Sequence, residues 1–259
     1  MSRSLRWFAI FCGTLVAGMG AFALYLGPNV LAFLFHEERA TAPFVMVNFV
    51  DFGSADFDIE KHAARERYFD GYSRPMLSLV AALGGSVVWQ GAVKRVIEGR
   101  AEDHWDVLLM VRYPSRESFV SMMTSSEYRD LMSARSGALR REVMVAATQL
   151  IEFPDTEQHA SLMLLHRFID EDARDRYHRE YLPAQLESAK SMGGEVVWHA
   201  LGNPLSADPE FAWNDVLILG FPTELQLSAW ARQPIWRSRH ALARPLMEHW
   251  ALIELESSR

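Results

Sequence analysis

Apolar positions along this chain change their spacing in a regular order. The run Phe44 to Val50 is β-branched and aromatic, which predicts a buried strand. From Phe57 to Leu83 apolar residues recur at helical spacing and stop at Gly84-Gly85. Glycine is the residue that most cheaply takes the left-handed conformation closing a helix. Pro75 inside that span predicts a kink or break just before it. Ser86 to Ala92 and Asp106 to Tyr113 read as strands. Pro114-Ser115 opens a helical stretch to Leu139, broken near Ser125-Ser126, and Glu142 to Glu152 reads as a last strand.

The same order then returns. Strands are expected at Ser161–Phe168, Glu195–Ala200, Asp215–Phe221 and Glu248–Glu256, with helices at Asp172–Met192 and Thr223–Arg244. Identical residues mark the copy. Tyr68, Tyr72, Leu77, Gly84, Gly85, Val87, Val88 and Trp89 recur 109 positions later as Tyr177, Tyr181, Leu186, Gly193, Gly194, Val196, Val197 and Trp198. Trp105 and Tyr113-Pro114-Ser115 are matched 108 positions later by Trp213 and Phe221-Pro222-Thr223. Two copies are too few for a solenoid. The βαββαβ order is that of the ferredoxin-like fold, so the expected class is α+β, with two such repeats in one chain. The chain divides as 1–40 (membrane anchor and linker), 41–153 (first repeat), 154–160 (linker) and 161–259 (second repeat).

Ahead of the repeats, Trp7 to Phe35 carries no charged residue, with Arg3 and Arg6 before it and Glu37-Glu38 after. About 20 apolar helical residues cross a bilayer, so this run predicts a single-pass transmembrane helix. The basic flank places the N-terminus inside and the C-terminal domain on the extracytoplasmic side of the cytoplasmic (inner) membrane. The competing reading is a signal peptide cleaved near Ala23, after Ala21-Phe22-Ala23, giving a secreted protein.

Composition narrows the chemistry. A net charge of −7 and the lack of any basic run argue against a nucleic-acid partner. The single cysteine, Cys12, excludes an intrachain disulfide and a cysteine metal cluster. The histidines are scattered, with no His-x-x-x-His on a predicted helix, so no metal is expected. Gly84-Gly85 lacks the rest of a phosphate loop, so no nucleotide cofactor is expected either.

A helix ending in Gly-Gly, a strand, a second strand closing in aromatic-Pro-Ser/Thr, and a helix bearing Trp230 together resemble the DUF1330 family of the dimeric α/β-barrel superfamily. The resemblance covers about 44–153 and 161–256. Phe221-Pro222-Thr223, Trp230 and Arg244 carry it in the second copy, and Ser125 to Tyr128 in the first, where Met122 replaces the expected tryptophan. It implies that the chain builds from its own halves, as a monomer, the barrel that relatives build from two chains. It implies no established reaction: the superfamily includes cofactor-independent monooxygenases, haem enzymes, isomerases and stress proteins.

His166 interrupts an apolar strand and is the candidate catalytic base, with Asn48 in the matching strand of the first copy. His199 follows Trp198, so the two point to opposite faces, and Gln90 matches it in the first copy. Tyr68, Tyr72, Tyr177 and Tyr181 pair at i, i+4 and could line a pocket or pack on the sheet. Trp89 and Trp198 read as core or pocket wall. Arg135 and Arg244, each near a helix end, either complement the helix dipole or bind a ligand carboxylate. The function expected from sequence is binding, or transforming without a metal, a small apolar or amphipathic molecule between sheet and helices. The alternatives are a cofactor-independent monooxygenase or isomerase and a membrane-tethered protein-docking module.

Overall fold

A computed structural model of the chain describes residues 42–53, 59–152, 160–205 and 211–257. The apolar run Trp7–Phe35, where the sequence predicts a membrane helix, lies outside the described residues. Among the described residues no helix is long and apolar enough to cross a membrane.

The first repeat runs β1 (Phe44–Asp51), α1 (Ile59–Tyr68), α2 (Arg74–Ala82), β2 (Ser86–Glu98), β3 (Val107–Tyr113), α3 (Arg116–Thr124), α4 (Ser126–Ser136) and β4 (Arg141–Ile151). The second runs β5 (Ala160–Phe168), α5 (Glu171–Glu180), α6 (Leu182–Lys190), β6 (Glu195–Pro204), β7 (Asp215–Phe221), α7 (Glu224–Ala231), α8 (Pro234–Ala243) and β8 (Met247–Ser257). All eight strands pair antiparallel into one closed barrel, in the order β1-β3-β2-β8-β5-β7-β6-β4. Each repeat contributes four strands, and the seams β2–β8 and β4–β6 join the halves.

Alternation along each strand separates two cores. In β1, Val45, Val47 and Phe49 point into the barrel, while Phe44, Met46 and Val50 point out to the helices. Trp105, Trp198 and Trp213, each fully buried, fill the barrel interior. Burying about 200 Å² of such a ring at about 25 cal/mol per Å² contributes roughly 5 kcal/mol before ordering entropy is subtracted. The interior is therefore a packed core, not a channel.

The structure corrects the sequence reading at two helices and at two strands. The helices expected at Asp172–Met192 and Thr223–Arg244 are each broken, at Tyr181 and at Arg232-Gln233. Pro183 and Pro234, within the first two positions of the next helix, carry no N–H to continue the preceding hydrogen-bond ladder. The break expected before Pro75 is a π-helical turn, Phe69–Ser73. Strands β2 and β6 also run past Ala92 and Ala200, because their outer ends make the seams with β8 and β4.

Candidate functional site

The site lies between sheet and helices in the second repeat, where β5, β6 and β7 meet α5. Alternation on β7 sends Val216 and Ile218 into the barrel and Asp215, Leu217 and Leu219 outward. On β6 a register shift between Val196 and Trp198 places both Val197 and Trp198 in the barrel core. That one-residue bulge turns His199 to the helix side; unbroken alternation would have sent it inward. At the open end of β5, Asn214 fixes the edge: its amide exchanges hydrogen bonds with Phe168, and its N–H donates to the His166 carbonyl. Asp170 caps α5 by accepting from the Ala173 N–H at 2.7 Å, which sets the helix that delivers Tyr177 and His178.

These elements converge on the Asp215 carboxylate. His166 Nδ1 lies 3.1 Å from Oδ1; His178 Nε2 and His199 Nε2 lie 2.8 and 3.0 Å from Oδ2. Asp215, His166 and His199 are buried, whereas the His178 side chain is 23 % exposed and forms the outer lip. Burial alone would raise the Asp215 pKa; hydrogen bonds from three histidines outweigh it and hold the carboxyl well below the usual carboxylate range. An ionised carboxylate only accepts, so each facing ring nitrogen is an N–H donor. Behind His166, Tyr177 places its hydroxyl 3.3 Å from Nε2 and 2.7 Å from Gln185 Oε1. His240 stacks on the His166 ring at 5.7 Å between centroids, and burial drives its pKa down to about 3, helped by His166 and Arg244.

The residues expected from sequence fall in different places. His166 is in the cluster, but as a fully buried group behind Asp215. Tyr177 is in the cluster and Tyr181 stacks on it. Asn48 faces the helices of the first repeat, its amide donating to the Met46 and Leu109 carbonyls. Strand pairing corrects its correspondence: Val50 opposes Val107 as His166 opposes Asp215, so Val50 holds the place of His166. Tyr68 and Tyr72 are buried beside the Arg135–Glu142 ion pair. Trp198 is barrel core, and Trp89 packs partly buried against the same core. Arg244 is exposed and lines a groove of about 540 Å³ with Arg100 and His249.

Sequence reasoning expected no metal site and missed His178 and Asp215. Their signal was in the repeat itself. At matched positions the first copy has Phe69, Gln90 and Val107 where the second has His178, His199 and Asp215. Those three first-copy residues line an open cavity of about 270 Å³. The same corner of the fold is thus a plain pocket in one half and a polar cluster in the other.

Residues 55–149 match the model of DUF1330, a domain of unknown function. The likeness to DUF1330 lies in the first repeat and covers less than half of the chain. The match ends before the second repeat, which is tied to the first by the internal repeat and the shared strand order. No curated protein matches the chain. Among solved structures, an anthrone oxidase-like protein is 11% identical, with a TM-score of 0.51 over 85% of this chain and 92% of that one. A Fusobacterium nucleatum subsp. nucleatum protein provisionally named a monooxygenase is 9% identical, with a TM-score of 0.50 over 85% and 94%. At these identities the likeness is one of fold.

Proposed function

We propose that the chain is a one-chain α/β barrel whose second repeat binds, and transfers protons to and from, a small amphipathic molecule at the His178 lip. The observation that supports this is the fully buried, ionised Asp215, gathered by three histidines of which one reaches solvent. A buried carboxylate with several hydrogen-bonded imidazoles is costly to assemble unless the network is used or fully satisfied. An apolar side chain serves packing in the same place of the first repeat, at Val107. His178 is the group that meets the molecule, the ionised Asp215 accepts from it and from His199, and His166 with Tyr177 positions Asp215 from behind. In this reading the enzyme form is an oxygenase or isomerase of the barrel type, and the Trp7–Phe35 run tethers a monomeric barrel to the outer face of the cytoplasmic membrane.

The test uses the full chain purified from its own host and extracted with organic solvent. A small molecule detected by mass spectrometry in the wild type should fall at least tenfold in His178→Phe, which copies the residue of the first repeat. An extract with no bound molecule, or one unchanged by His178→Phe, contradicts the reading.

A further inference from the structure

The outer three groups of the cluster have a geometry of their own. Nε2 of His178, Nε2 of His199 and a carboxylate oxygen of Asp215 all lie within 4.8 Å of one another. We propose that they bind one divalent first-row transition-metal ion, leaving a coordination position open at the His178 lip. The inference rests on the reading above in taking the same cluster as the functional site; with an ion held, Nε2 of His178 and of His199 are ligands and carry no proton.

Four observations carry it. In a tetrahedral site with bonds of about 2.0–2.1 Å, ligand atoms stand about 3.3 Å apart. The two imidazole nitrogens stand 2.8 and 3.0 Å from Asp215 Oδ2, so a small outward turn of each ring admits an ion. Second, the two oxygens of Asp215 face different partners. Oδ2 meets the two ligand rings, while Oδ1 is held by His166 Nδ1 at 3.1 Å. Ligating carboxylates are commonly fixed from behind in this manner, and here the support continues through Tyr177 to Gln185. Third, two ligands stand on adjacent strands and the third on a capped helix, so the frame is rigid apart from the partly exposed His178. Fourth, the matched positions Phe69, Gln90 and Val107 supply no imidazole or carboxylate, so the first repeat is an internal control.

The donor set selects the ion. Two imidazoles and one carboxylate suit zinc, iron(II), cobalt(II) or nickel(II), whereas calcium and magnesium favour all-oxygen sites. Binding needs each Nε2 unprotonated, which a neutral ring achieves by carrying its proton on Nδ1. Three protein ligands are the number that leaves room for water or a ligand oxygen. The molecule bound at the lip would then be one with an oxygen donor, such as a carboxylate, enolate or phenolate.

The full chain, freed of any tag and stripped by chelator, is titrated with cobalt(II) and then zinc(II). The expected result is one cobalt per chain with the visible bands of four- or five-coordinate ion, displaced by zinc. His178→Phe and His199→Gln copy the first repeat and keep the fold, as near-ultraviolet circular dichroism would check; each should weaken binding by about 100-fold or more. His166→Gln, acting only through Asp215, should weaken it about 10–100-fold. Uptake well below one equivalent, or uptake unchanged by His178→Phe, overturns the metal proposal. If the metal fails while the solvent-extracted molecule still disappears in His178→Phe, the ion is wrong and the site is right; if both fail, both are wrong.

Discussion

A carboxylate in the position of Asp215, away from water, would normally take up a proton; three imidazoles keep it charged instead. Its neighbour His240 is the opposite case. It is 2 % exposed, its Nε2 has no hydrogen-bond partner among the described residues, and its ring lies 3.9 Å from Trp250 between centroids. The native ring stays neutral down to about pH 3, while in the unfolded chain it takes a proton near pH 6.5. Between those values the unfolded state binds the extra proton, so stability falls as pH falls from about 6.5 towards 3 and is complete above 6.5. The slope from this one group is at most about 1.4 kcal/mol per pH unit. Thermal melts across that range should therefore decline less steeply in His240→Phe than in the wild type. Equal slopes would mean that His240 is charged or solvated in the native protein.

At the scale of elements, the seams between the halves depend on two glycines. A Cβ on Gly91 of β2 would meet the Glu256 carbonyl of β8 at 2.3 Å. A Cβ on Gly202 of β6 would meet Val145 of β4 across the other seam at 2.7 Å, and the Trp213 carbonyl of its own repeat at 2.6 Å. Backbone cannot yield as a flexible side chain does, so Gly91→Ala and Gly202→Ala should each cost about 1–3 kcal/mol in denaturant unfolding. Unchanged stability would show that the strands separate freely there. The strands, the Gly-Gly helix ends and the βαββαβ order were all legible, because each is written in local spacing and turn chemistry. The site was only partly legible. His166 stood out as a polar residue in an apolar strand and Tyr177 as a repeated residue, but the face of His199 depends on a bulge that no residue type announces. Asp215 opens a strand 49 positions after His166, and only the barrel brings them together. Pro183 and Pro234 were in plain sight, yet helical spacing continues across both breaks and hid them.

At the scale of the molecule, duplication in one chain frees the two helix–sheet layers to differ. The barrel interior is shared: both halves contribute its apolar lining, and Trp105, Trp198 and Trp213 fill it. The outer layers have diverged. The first buries the Arg135–Glu142 pair among Tyr68, Tyr72 and Tyr128, and the second gathers the histidines around Asp215. A barrel assembled from two identical subunits could not separate these roles, since each change would occur twice. The central claim is that chemistry resides in the second half alone. Native mass spectrometry of the full chain from its own host, wild type beside the matched variants Phe69→Ala and His178→Ala, tests it most directly. The account predicts a non-covalent adduct kept in wild type and Phe69→Ala and lost in His178→Ala; loss in Phe69→Ala, or retention in both, would contradict it.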